Sequence, residues 1–183
     1  MTKKEVLFVQ GAGAGAHAED RALVDSLQKA LGDGYRVRYP RLPNEGDAAY
    51  AALRPVIAKE LDAMTGKVIL VGHSAGGSLL MKYLSEERVA KEAAGVLLIA
   101  APYFGPGGWD VDDGALSEDF AARLPKRTPL FFYQSRDDEV VPFAHLALYA
   151  RELPHATVRE FDGRGHQFKN DLSEVAADIT RLA

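Results

Sequence analysis

The chain has 183 residues, 47% hydrophobic and 26% charged, with a formal net charge of −4. That length suits one domain with a buried core, taken here as a single unit over 1–183. No basic run is available to neutralise nucleic-acid phosphates, and the absence of cysteine excludes disulfides, thiol catalysis, iron–sulfur clusters and thiolate zinc.

The opening MTKKEVLFVQ holds only a short apolar run, too short for a secretory leader. No stretch approaches the roughly 20 apolar residues of a membrane helix. A cytoplasmic protein with no membrane partner is expected, a monomer or weak dimer. The first predicted strand is 6–9 (VLFV), and a glycine-rich turn and a helix over 18–31 follow it. A strand at 35–39 (YRVRY) precedes a helix over 47–64 that contains Pro55, where it restarts or kinks. Next come a strand at 68–71 (VILV), a helix over 75–87, a strand at 96–99 (VLLI) and a helix over 116–124. The chain closes with a strand at 130–133 (LFFY), a helix over 143–152, a strand at 157–161 (TVREF) and a helix over 170–182. In that last helix Leu172, Val175, Ala176, Ile179 and Leu182 share one face, and Asn170 can cap its start.

Alternating strands and helices imply an α/β fold with a mostly parallel sheet covered on both faces. The first, third, fourth and fifth strands are unbroken apolar runs, as suits strands buried on both sides. The second and sixth alternate with charged residues, as edge strands do. The order 2-1-3-4-5-6 satisfies both textures. It makes the first and third strands neighbours at a switch point, where ligands bind beyond the carboxyl ends.

The turn after the first strand reads QGAGAGAHAED. As G-x-G-x-x-A over residues 11–16 it is the pattern of a dinucleotide loop. That reading wants an acid at the end of the second strand, and Arg38, Tyr39, Pro40 and Arg41 stand there instead. An arginine can accept a 2′-phosphate, so the reading stays open. The alternative is a turn whose amides help to form an oxyanion hole.

The third strand ends in Gly72-His73-Ser74-Ala75-Gly76, a G-x-S-x-G between a strand and a helix. A serine presented above a sheet edge needs a sharp, strained turn, with small residues two positions either side so that strand and helix pass closely. The Ala75 amide then opens a helix, unpaired and favoured by the dipole to face negative charge. Two later loops follow their own strands: Ser135-Arg136-Asp137-Asp138-Glu139-Val140-Val141-Pro142, and Asp162-Gly163-Arg164-Gly165-His166-Gln167-Phe168.

With these loops the chain resembles the α/β-hydrolase family, whose catalytic order is serine, then Asp or Glu, then histidine. The D-x-x-V-P register selects Asp138 over Asp137 as the acid, and G-x-G-H selects His166 as the base. The resemblance spans nearly the whole chain and is strongest to the small lid-less serine hydrolases, the retinoblastoma-binding-protein-like and YdeN-like branch. It rests on VGHSAGG, RDDEVVP, GHQF and a glycine turn without histidine. Many family members have His-Gly at that turn; Gln10-Gly11 stands here, which leaves the first-turn donor open. The partner binding linked to an L-x-C-x-E stretch in one member is not carried over, since this chain has no cysteine.

The resemblance implies ester hydrolysis of a small-molecule acyl substrate by Ser74, His166 and Asp138. The Ala12 and Ala75 amides would hold the oxyanion, with neither metal nor organic cofactor. About 28 residues separate the fourth and fifth strands, too few for a cap once a return helix is included. Tyr103, Phe104 and Trp109 in that segment are expected to shape an apolar acyl pocket, with Phe143 or Phe168 as further candidates. Gly11 and His17 complete the candidate substrate contacts. His73 is read as a packing residue, and nothing singles out His145 or His155. A catalytically degenerate binding module is the alternative from another class, supported only by the altered Gln10-Gly11 turn.

Overall fold

The computed structural model describes residues 3–43, 45–46 and 49–182. Its six strands are β1 (Lys4–Val9), β2 (Tyr35–Arg38), β3 (Val68–His73), β4 (Ala93–Ile99), β5 (Leu130–Ser135) and β6 (Thr157–Phe161). All neighbouring pairs are parallel, in the order β2-β1-β3-β4-β5-β6. The strand texture foretold this order. The four apolar runs occupy the interior of the sheet, and the alternating β2 and β6 form its edges.

Side chains alternate across the sheet and feed two cores. Leu7, Val9, Leu70 and Leu98 point to one side. There they meet α3 (Tyr50–Ala63), α4 (Ala75–Glu86), the short α5 (Phe120–Arg123) and α6 (Ala144–Glu152). Val6, Phe8, Val71, Leu97 and Ile99 point to the other, against α2 (Arg21–Leu31) and α7 (Ser173–Arg181). A one-residue slip of any central strand would exchange its two apolar sets between these cores.

Several helices differ from their predicted spans. The first helical region begins at Ala16, as a single turn α1 (Ala16–Glu19), and restarts after Asp20. The second runs unbroken through Pro55. The part of its expected span at 47 and 48 lies outside the described residues, as do 1, 2 and 183 of the single-domain span. The helix expected over 116–124 shrinks to α5, because the Leu116 amide donates to the Phe104 carbonyl at 2.8 Å and holds the chain in a loop.

The last helix starts at Ser173, not at 170. Phe168, Lys169 and Asn170 have φ of 48°, 50° and 56°, so three successive non-glycine residues form a left-handed turn. Asn170 therefore does not cap the helix. The Ser173 amide donates instead to Asp171 Oδ1 at 3.0 Å. The turn carries the Phe168 ring into the core, edge-on to Phe161 at 5.4 Å.

Candidate active site

β3 runs out beside β1 at the centre of the sheet, and Ser74 is the residue between β3 and α4. Its φ of 51° and ψ of −135° lie in a sparsely populated region that a serine holds only under constraint. The constraint comes from close backbone packing. A Cβ on Gly76 would fall 1.9 Å from the Gln10 carbonyl oxygen, and one on Gly72 would fall 2.5 Å from Gly77 Cα. Both glycines of G-x-S-x-G are thus required, and Gly77 is the third partner of that approach.

Ser74 Oγ lies 3.0 Å from His166 Nε2. His166 Nδ1 in turn lies 3.0 Å from each carboxylate oxygen of Asp138. The Asp138 side chain has no solvent exposure. Its remaining acceptor capacity is filled by the Gln134 amide nitrogen at 2.8 Å and by the Val140 and Val141 amides at 2.9 and 2.8 Å. Burial pushes the Asp138 carboxyl up. The hydrogen bonds from His166 and those two amides outweigh it and hold the group below the ordinary carboxylate range.

The neighbouring acids do different work. Asp137 accepts from the Ser135 hydroxyl and from the Arg164 and Gly165 amides at 3.1 and 3.3 Å. Glu139 Oε2 accepts from the His166 amide at 3.2 Å. Three consecutive carboxylates therefore grip the histidine loop, and only Asp138 reaches the imidazole.

The turn after β1 lies against the serine: a Cβ on Gly11 would stand 3.2 Å from Ser74 Cβ. The Gly11 amide is already engaged, donating to Asp20 Oδ2 at 2.8 Å. A carboxylate thus occupies the position that a pyrophosphate would need in a dinucleotide loop, and its charge opposes such a ligand. Among the described residues no acceptor meets the Ala12 or Ala75 amide. Gln10 is fully buried, and its Oε1 accepts from the Leu42 amide at 3.2 Å. It ties the segment after β2 to this turn, a loop-ordering contact made without the histidine common in related turns.

The comparisons with known proteins agree with this architecture. A model of the alpha/beta hydrolase family matches residues 6–178. The chain belongs to the alpha/beta hydrolase family. No curated protein matches the sequence. Among solved structures it is similar to the ydeN gene product from B. subtilis, at 18% identity over 98% of both chains with a TM-score of 0.74. It is similar to Arabidopsis thaliana SOBER1 at 15% identity over 99% of both chains, with a TM-score of 0.73. A meta-cleavage product hydrolase from Pseudomonas fluorescens gives a TM-score of 0.76 at 17% identity, over 98% of this chain and 90% of that one. At such identities these structures share the fold, and chemistry must be argued from the site itself.

In this alpha/beta hydrolase the other expected substrate residues are dispersed. Tyr103 and Phe104 are core residues, 6% and 1% exposed. Tyr103 packs edge-on to Tyr149 and Phe120, which leaves its ring little surface for an open pocket. Trp109 is partly buried against Phe104 and His145. His17 stacks on Tyr39 with centroids 4.3 Å apart and takes no part in the Ser74–His166–Asp138 chain. The cavity at the first turn is lined instead by Gln10, Gly11, Ala12, Leu42, Leu53 and Leu79, among others. Its aliphatic residues come from α3, α4 and the segment after β2. Nothing in their sequence spacing announces that convergence.

In the sequence Asp20 is one more acid at a helix start, and His73 reads only as a packing residue. Both belong to the site's support. Their side chains are each 2% exposed and stand 2.9 Å apart, in a close contact too bent for a well-aligned hydrogen bond. Among the described residues no group of His, Asp and Glu is arranged to hold a metal ion, and no helix is long and apolar enough to cross a membrane.

Proposed function

We propose that this protein is a serine hydrolase that cleaves small carboxylic esters through an acyl-enzyme. The observation that carries the reading is the continuous chain Ser74 Oγ–His166 Nε2 and His166 Nδ1–Asp138, with each step at 3.0 Å. It ends on a serine whose strained backbone presents it at a helix start. The reading combines that chain with membership of a hydrolase family.

Ser74 Oγ attacks the ester carbonyl while His166 Nε2 takes its proton. The tetrahedral oxyanion is held by the Ala12 and Ala75 amides. A donor of that kind is worth about 2.7–4 kcal/mol. His166 then protonates the departing alkoxide as the C–O bond breaks and Ser74 remains acylated. A water enters, gives its proton to His166 and attacks the acyl carbon. Collapse of the second tetrahedral intermediate releases the acid, and Ser74 recovers its proton. Throughout, Asp138 holds the imidazole in the tautomer with Nδ1–H and stabilises its cation.

We read the recess beside Gly11 and Ala12, walled by Leu42, Leu53 and Leu79, as the seat of a short acyl chain.

The test is intact mass after incubation with a fluorophosphonate probe, with wild type and Ser74→Ala in parallel. A single adduct on wild type that is absent from Ser74→Ala is the expected result. No adduct on folded wild type would overturn the reading and favour the binding module. A chain-length series of p-nitrophenyl esters follows, with kcat/KM expected to be highest at acetate.

A further inference from the structure

Behind the serine lies a second buried charge pair that the reaction as written does not use. Asp20 and His73 are both enclosed, and together they touch three pieces of the site. Asp20 Oδ2 accepts the Gly11 amide at 2.8 Å, and Asp20 Oδ1 accepts from Gln167 Nε2 at 3.2 Å. His73 Nε2 stands 3.2 Å from the His166 carbonyl oxygen. His73 itself is bonded through the chain to Ser74. One pair of side chains thus links the oxyanion turn, the nucleophile and the loop at His166 and Gln167.

The protonation state follows from the partners. His73 Nδ1 faces a carboxylate oxygen and Nε2 faces a carbonyl oxygen. A carbonyl can only accept, so Nε2 must carry a proton. Asp20 already accepts two N–H donors, which favours its anion, so Nδ1 carries a proton as well. The ring is therefore an imidazolium paired with a carboxylate. The other titratable groups near it are His166, with ring centroids 4.9 Å apart, and Asp138, whose negative charge favours the cation.

We propose that Asp20 and His73 form a charged positioning dyad that aims the first-turn amides and seats His166 against Ser74. Engaging the Gly11 amide fixes the peptide orientation there and leaves the next amide, at Ala12, for the oxyanion. The His166 carbonyl contact holds the backbone from which the imidazole projects. Neither residue touches the reacting atoms. A misplacement of about 1 Å in such machinery costs on the order of 10²-fold in rate, so their effect belongs in kcat. The proposal rests on the serine-hydrolase reading for its kinetic consequence, while its structural claim can be checked without turnover.

The first measurement is the ¹⁵N spectrum of the histidine side chains of the wild-type protein near neutral pH. Both His73 ring nitrogens are expected to be protonated; one bare nitrogen overturns the dyad, whatever the enzyme does. The second compares Asp20→Asn, His73→Gln, His73→Phe and the double variant Asp20→Asn/His73→Gln on p-nitrophenyl acetate. Circular dichroism screens them for folding. Each single variant is expected to lose about 10–100-fold in kcat with KM within about threefold. His73→Gln, which retains a donor for the His166 carbonyl, should exceed His73→Phe. The double variant should fall no further than the worse single, as for groups acting as one unit. Unchanged kcat in folded Asp20→Asn, or losses that simply multiply, overturns the proposal. If the variants do not fold, the wild-type spectrum still decides the charged pair. Absence of a fluorophosphonate adduct on wild type would instead mark failure of the hydrolase reading.

Discussion

Asp138 and Asp137 are adjacent acids with opposite assignments, and the difference lies in what each carboxylate meets. Asp138 is enclosed, faces the imidazole and is saturated with donors. Asp137 faces backbone amides of the histidine loop. Asp138→Asn is expected to lower kcat by about 10⁴-fold with the fold intact, because the amide favours the wrong imidazole tautomer. Asp137→Asn should cost far less, since its asparagine oxygen can still accept those amides. Steady-state kinetics on p-nitrophenyl acetate separates the two, and equal losses would contradict the assignment.

At the level of elements, the strand–turn–helix at Ser74 depends on backbone packing that no side chain can enter. Gly76→Ala would drive a Cβ into the Gln10 carbonyl at 1.9 Å, so β1 and α4 must part. The expected destabilisation exceeds about 3 kcal/mol, toward the tail of single-substitution effects, and chemical denaturation would measure it. The left-handed turn after His166 is the opposite case. Lys169 is exposed and holds φ 50°, where glycine has no steric cost. Lys169→Gly is expected to stabilise the fold by about 0.5 kcal/mol after the larger chain entropy of glycine is deducted. A lower melting temperature would contradict this. The β–α alternation, the strand order and the glycine elbow were legible because periodicity and glycine spacing are local. The start of α7 was not. The helical face at Val175, Ala176 and Ile179 extends by spacing to Leu172, but burial of Phe168 just upstream wins over propensity.

Over the whole molecule, the buried charges set how stability varies with pH. Asp20, Asp138 and Asp178 are all held below the ordinary carboxylate value. In each, burial acts upward and is outweighed by paired donors and nearby positive charge. Their stabilisation is present above the unfolded value of about 3.9 and is lost as pH falls through the lower folded values. His73 runs the other way. Burial acts downward on it, the Asp20 charge outweighs that, and its folded value is raised. Its contribution is full below the unfolded value of about 6.5 and is lost as pH rises through the raised folded value. Melting temperature should therefore decline in acid below about pH 4 and decline again in the alkaline direction. His73→Gln should flatten the alkaline decline relative to wild type. An unchanged alkaline limb in that variant would contradict the assignment.

The sequence by itself determined the α/β class and the strand order, and through its family resemblance it nominated Ser74, Asp138 and His166 for the site proposed above. Each of these is written in a local pattern: an apolar period, a glycine spacing, or a loop following its own strand. The tertiary structure decided what surrounds them. Tyr103 and Phe104 went to the core because the loop after β4 folds back under its own bridge between Phe104 and Trp109. The cavity wall came instead from Leu42, Leu53 and Leu79 on three separate segments. Asp20 and His73 lie far apart in the chain and meet only when β1 and β3 pair, which brings the turn at Gly11 against Ser74. Contacts of that kind depend on how elements pack, and no spacing along one segment encodes them.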